Sequence, residues 1–197
     1  MRSRRTVDLA YVLRGFGVHF RFLTTTLGVD PSYKDEAFYQ PTLDSDSARV
    51  SRLFAKAGAN SIEIERRSMS RRELQQLLQP QNHLVMALVD RRYLYRPSAA
   101  SSAASAISAF VDSAVSRCFN GNGYVGHYVL LTGYDDERGT YRVLDPAKGS
   151  EPLLLPSDAL ETARRCHGTD EDLIVVPWDQ QKLLHAAPPG HDASAAA

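Results

Sequence analysis

The chain has 197 residues, with 23 basic side chains balancing 23 acidic ones and a pI near 7.0. That length suits one domain with a full core. The neutral balance argues against electrostatic binding of nucleic acid or an anionic membrane surface, and no apolar run is long enough to span a bilayer. Two cysteines, Cys118 and Cys166, make neither a disulfide framework nor a paired C-x-x-C zinc pattern, so a reducing, cytoplasmic setting is expected. Met1 to Arg5 is basic but no apolar stretch follows it, which speaks against a secretory signal. Its Arg-rich, acid-poor character leaves mitochondrial import open.

In chain order, Thr6 to Arg14 reads as a helix, with Thr6 as N-cap, Asp8 at the positive dipole end, and Leu9, Val12 and Leu13 on one stripe. Gly15 or Gly17 ends it. Val18 to Thr24 alternates and predicts a strand. A second helix follows Asp44 or Ser45 and carries Val50, Leu53, Phe54 and Ala57 up to Gly58. Ser61 to Glu65 predicts a short strand. Ser70 and Glu73 form a capping box for a helix that buries Leu74, Leu77 and Leu78 and stops at Pro80.

His83 to Asp90 is nearly all apolar and predicts a central strand. Pro97 to Ser116 is biased toward Ala and Ser, the composition of an exposed insert, although Ile107, Phe110, Val111, Ala114 and Val115 recur at helical spacing. Pro152 to Pro156 reads as a connector, Ser157 to about Arg165 as a helix, and Leu173 to Val176 as a last strand. Residues 1–178 form the expected domain and residues 179–197 a disordered tail. The pattern is α+β, with a mainly antiparallel sheet of about four to six strands flanked by helices.

The most informative stretch is Gly126 to Pro146. Its arms, His127 to Tyr134 and Thr140 to Leu144, flank a polar Asp135-Asp136-Glu137-Arg138-Gly139 turn and predict a β-hairpin. His127 opens the first arm and Asp145 follows the second, so antiparallel pairing brings them together. A His held by a carboxylate is the base half of a nucleophilic triad. The bland alternative is a surface His and an Asp that caps the turn before Pro146.

Other candidates are weaker. Cys118 follows a helical pattern, at the dipole end that disfavours a thiolate. Cys166 has Arg165 and His167 beside it but also sits at a helix C-terminus. His83, His127 and Asp145 lack any tight metal-ligand spacing. The acidic run Gly168-Thr169-Asp170-Glu171-Asp172 is expected to shape a turn rather than to hold a cation. No metal and no cofactor are expected.

Thr6-Val7-Asp8-Leu9-Ala10-Tyr11 with Phe16-Gly17-Val18, Thr25 to Val29, Gly126 to Leu130 with Asp145-Pro146-Ala147, and Gly168 to Asp172 together resemble the guanylyl cyclase domain-containing family. The resemblance runs from about residue 5 to residue 178. It implies a papain-like fold of the bacteriocin-processing (C39) peptidase type. There a Cys at the start of the first helix attacks, a His opening a central strand is the base, and an Asp after the next strand orients it. His127 and Asp145 fall on the last two positions. The Cys and an oxyanion-hole Gln would lie upstream of Met1. On that reading the chain is N-terminally incomplete, lacks part of the first helix, and carries only the His/Asp half of a cysteine-hydrolase triad.

Two alternatives stand beside it. One is a non-catalytic module that binds an unidentified protein or small molecule. The other is a guanylyl cyclase, making cyclic GMP from GTP as the family name implies, although no phosphate-cradling Gly-rich loop and no spaced Asp pair on strands is present.

Overall fold

The computed structural model describes residues 5–28, 43–79, 82–95 and 124–178. The Ala/Ser-rich stretch, Cys118 and the tail lie outside them. The fold is α+β. Helices α1 (Thr6–Gly15), α2 (Leu43–Lys56), α3 (Arg71–Leu78), α4 (Arg91–Leu94) and α5 (Ser157–Arg164) surround strands β1 (Arg21–Thr24), β2 (Glu63–Arg66), β3 (His83–Asp90), β4 (Gly126–Asp135), β5 (Thr140–Leu144), β6 (Leu153–Pro156) and β7 (Leu173–Pro177).

The strands form one seven-stranded sheet in the order β2-β1-β7-β3-β4-β5-β6. Only β1 and β2 run parallel. The expected antiparallel character holds, with more strands than expected. The extra one is β6, which the sequence presents as a connector. Pro152 and Pro156 bracket it, and a strand on the edge of a sheet tolerates proline because one row of its amides needs no partner. The last strand, β7, lies inside the sheet between β1 and β3.

Side-chain alternation splits the core in two. On one face Val85, Ala87, Val89, Val129, Leu131, Val143 and Val175 pack with Leu74 and Leu78 of α3, Leu94 of α4 and Leu160 of α5. On the other, Phe22, Ile174 and Met86 pack with Val7 and Ala10 of α1 and Val50 of α2. Even and odd positions of β3 and β7 therefore serve different cores.

Local signals account for most element ends. The Ser70 hydroxyl accepts from the Glu73 amide at 3.2 Å, the Ser70 half of the expected capping box, while the Glu73 carboxylate pairs with Arg67 at 2.8 Å. Gly139 has φ +62°, the positive value the hairpin turn requires, and the Arg138 amide donates to Asp135 Oδ1 at 3.1 Å. A one-residue bulge between Leu131 and Gly133 shifts the β4–β5 register. It sets Tyr134 opposite Tyr141, with ring centroids 4.9 Å apart.

The expected cap of α1 is corrected. Arg5 is the N-cap, with its amide donating to Asp8 Oδ2 at 2.9 Å. Thr6 is the first helical residue, and its hydroxyl lies 3.0 Å from Tyr128 Oη. A tertiary contact claimed the hydroxyl that the local reading gave to the helix. The first strand is also shorter than its alternation suggests, starting at Arg21 rather than Val18.

Arg164 on α5 is wholly buried. Its Nε and Nη2 donate to the two oxygens of Glu161 at 2.7 Å each, and Nη2 also donates to the Met69 carbonyl at 2.8 Å. Removing one partner of a buried pair leaves an uncompensated charge. Arg164→Ala is therefore expected to destabilise the protein by about 3–5 kcal/mol in urea unfolding, whereas Arg165→Ala, on a half-exposed neighbour, should cost about 1 kcal/mol or less.

Candidate active site

The hairpin delivers the predicted pair. His127 Nε2 lies 2.7 Å from Asp145 Oδ1. The His127 side chain keeps 18% of its surface exposed, while that of Asp145 is fully buried. The same Oδ1 accepts from the Ala147 amide at 2.8 Å, and the Lys148 amide caps the Asp145 carbonyl at 2.9 Å. Asp145 thus opens a turn that runs through Pro146 to Lys148, rather than one that ends before Pro146, and it also holds the His.

A third group joins them that the sequence did not announce. Tyr95 Oη donates to the other carboxylate oxygen, Oδ2. Tyr95 follows α4, a single turn capped by Asp90. The Asp90 side chain accepts from the Arg92 amide at 3.0 Å, and the Arg91 amide donates to the Val125 carbonyl at 3.0 Å. These bonds tie α4 to the start of β4, beside His127. Lys148 Nζ lies 5.0 Å from the centre of the Tyr95 ring. Nothing in the sequence links Tyr95 to a residue fifty positions away, so only the packed fold could identify it.

The electrostatics follow from these contacts. Burial pushes the Asp145 carboxyl up, but the Tyr95 hydroxyl, the Ala147 amide and His127 together outweigh it and hold the group below the usual carboxylate range. Burial and the hydrogen bond to Asp145 push the Tyr95 hydroxyl well up, so it stays a donor at neutral pH. With Asp145 ionised, His127 Nε2 carries the shared proton, and in the neutral ring Nδ1 keeps the lone pair that can accept a second one.

The remaining candidates do not join this site. His83 opens β3, whereas Val89, near its other end, faces His127, a separation of about 20 Å at the rise of a strand. The His83 ring instead meets Asn82 Oδ1 at 2.7 Å. Among the described residues no three His, Cys, Asp or Glu side chains cluster in a way that would hold a metal ion. The Cys166 thiol donates to the Thr162 carbonyl at 3.0 Å, at the C-terminal end of α5. Cys118 lies outside the described residues.

The Gly168 to Asp172 run does shape a turn: Thr169 Oγ1 donates to the Arg164 carbonyl at 2.7 Å and accepts from the Glu171 amide at 3.2 Å.

The face from which His127 projects matters for any nucleophile. His127 shares the odd-numbered side of β4 with Val129 and Leu131, the side covered by α3, α4 and α5. Helix α1 packs on the opposite side, where Thr6 meets Tyr128. Moreover, α1 has its own N-cap. The start of α1 and the His127 side chain thus lie on opposite faces of the sheet.

Known proteins resemble this chain. The model of the family described as guanylylate cyclase matches residues 1–176. The chain is also 39% identical over 178 residues to "Guanylyl cyclase 1" of Arabidopsis thaliana. That match covers 90% of this chain and 61% of the relative, so the chain spans about three fifths of the relative's length. No helix among the described residues is long and apolar enough to cross a membrane.

Asp145 supplies a pH test. A carboxyl held below its unfolded value adds stability that is fully present above the ordinary carboxylate range and disappears as pH falls through the depressed native value. Asp145→Asn is expected to cost about 2 kcal/mol at neutral pH, with the gap between variant and parent closing in acid. A gap that stays constant to the bottom of the carboxylate range would contradict the depressed value.

Proposed function

We propose, for a chain that belongs to the guanylylate cyclase family, that His127 is the general base of an acyl-transfer site of the cysteine-hydrolase kind, in a papain-like, C39-type domain. The observation that carries this reading is the buried Asp145 carboxylate, held by Tyr95 on one oxygen and holding His127 on the other. It fixes the ring through Nε2 and leaves Nδ1 to exchange protons with a reacting group. Such fixation is what a strand-mounted general base requires.

In the proposed reaction, Nδ1 takes the proton of a thiol, and the thiolate attacks an amide, ester or thioester carbonyl. A carbon–sulfur bond forms, and the leaving amine, alcohol or thiol departs with the proton that Nδ1 returns. Water, deprotonated by the same nitrogen, then cleaves the thioester and regenerates the thiol. Asp145 stays ionised throughout and stabilises the imidazolium, while Tyr95 keeps Asp145 oriented and ionised. The thiol comes from outside the described residues and approaches on the face of the sheet that carries Val129 and Leu131.

The relative's name favours a second reading, the cyclisation of GTP to cyclic GMP. His127 would then deprotonate the ribose 3′-hydroxyl, and phosphate and metal contacts would come from outside the described residues. A third reading, a module that captures a protein or small molecule without chemistry, needs no titrating His127.

One experiment separates the three. In the natural full-length protein, a thiol-directed carbonyl electrophile is expected to label a single cysteine. His127→Ala should slow that labelling by at least about 100-fold, and Asp145→Asn by a smaller factor. Labelling that is unchanged in both variants sinks the general-base assignment. Formation of cyclic GMP from GTP with Mg²⁺ or Mn²⁺, lost in His127→Ala, would install the cyclase reading in its place.

A further inference from the structure

Two cations stand around the Asp145 carboxylate, and the proposed reaction uses neither. Lys148 lies on the turn that Asp145 opens, with its amide bonded to the Asp145 carbonyl at 2.9 Å. Its Nζ is 5.0 Å from the centre of the Tyr95 ring, whose hydroxyl donates to Asp145 Oδ2. A ring face attracts an ammonium without consuming its three N–H donors, so Lys148 is positioned and keeps them for a ligand. Arg91 begins α4, and its amide bonds to the carbonyl of Val125, two residues before His127. Its charge reaches the site: burial and the bond to Asp145 raise the Tyr95 hydroxyl, and Arg91 opposes them.

The charges nearby do not cancel these two. Both side chains are exposed, and among the described residues neither forms an ion pair. Asp90 accepts from Nε and Nη2 of Arg92. Asp145 is buried and accepts from Tyr95 and the Ala147 amide while it holds His127. Tyr95 itself is 37% exposed, so part of its ring can still meet a ligand.

We infer that the acyl substrate of this site carries a carboxylate near its scissile carbonyl, and that Lys148 and Arg91 bind that carboxylate. The inference rests on the acyl-transfer reading of His127 and narrows it to acidic acyl donors. The exposed part of the Tyr95 ring packs against the short carbon chain between carbonyl and carboxylate. Two single charges on separate elements suit one carboxylate. A polyphosphate asks for converging backbone amides, and here they are spent. Those of Ala147 and Lys148 go to Asp145, that of Arg91 to Val125, and that of Arg92 to the Asp90 side chain.

The test is an NMR titration of the whole chain with N-acetylglycinate, using neutral N-acetylglycinamide and inorganic phosphate as controls. Binding needs neither a thiol nor a proton transfer, so a failed general base and a failed carboxylate site give different results. Saturable shifts of the Ala147 and Lys148 amides and of the His127 ring protons are expected with N-acetylglycinate. The neutral amide should bind about fivefold more weakly or worse. Added salt should weaken the carboxylate and spare the amide. Lys148→Gln and Arg91→Gln, both at exposed positions, should each weaken N-acetylglycinate by about two- to fivefold. Arg142→Gln, an equal loss of charge at an exposed position on β5, should leave the affinity unchanged. No saturable shift at millimolar N-acetylglycinate overturns the inference. So does the neutral amide binding as tightly, phosphate binding more tightly, or Arg142→Gln weakening binding as much as Lys148→Gln.

Discussion

A guanidinium buried in an apolar interior must be surrounded by acceptors, and Arg164 organises much of this fold by that requirement. Two of its bonds go to Glu161, one turn earlier on α5, and one reaches the Met69 carbonyl in the loop before α3. Its Nη1 lies 3.5 Å from Glu171, and its own carbonyl accepts from the Thr169 hydroxyl. One side chain thereby fixes α5, the approach to α3 and the tight turn that feeds β7. That turn holds Asp170 and Glu171 at φ +50°, a strained value for non-glycine residues. It also holds Gly168 at φ +101°, where a Cβ would meet the Tyr124 ring at 2.7 Å. The positions of Tyr124 and Asp172 therefore depend on a charge that lies outside the candidate site.

The start of β4 also walls a cavity of about 100 Å³ at the N-terminus of α1. Gly126 lines that cavity, and the next residue, His127, points through to the other side toward Asp145. Period-two alternation makes neighbours in sequence into neighbours across a sheet. Cavity and site each borrow one face of the same strand end, and the antiparallel register with β3 (Val89 opposite His127, Asp90 opposite Gly126) holds both in place. Gly126 also tolerates little change: a Cβ there would lie 2.8 Å from Tyr124 Oη.

The hairpin and its His127–Asp145 pair were legible because they rest on local rules. A polar turn with a glycine sets the register, and the register sets who faces whom. The central place of β3 and the Ser70 cap of α3 were legible for similar reasons. What escaped the sequence depends on distant partners. Tyr95 reaches Asp145 only because Asp90, Arg91 and Val125 fold α4 back onto β4. Thr6 looked like a cap until Tyr128 took its hydroxyl. Asp172 read as one more acid in a polar turn, yet the turn ends by driving it inward. Strand β6 escaped because its prolines signal a break, and edge position removes their cost. The family resemblance reached the matching family from those same separated motifs, but it did not foretell that α1 and His127 would lie on opposite faces.

The place of β7 bears on how the chain is made. It is the last strand in sequence, yet it joins β1 on one side to β3 on the other. A ribosome releases β1 and β2, and then the meander from β3 to β6, well before Leu173–Pro177 emerges. Until then the nascent chain holds two half-sheets, each with an open, apolar edge and no ladder between them. The loop that closes last is also among the longest the fold contains, and long-range closures are slow. Birth of this protein thus includes an interval in which exposed edges must be shielded from other chains, and a ribosome that stops a few codons before β7 is complete releases two halves with no strand ladder to unite them.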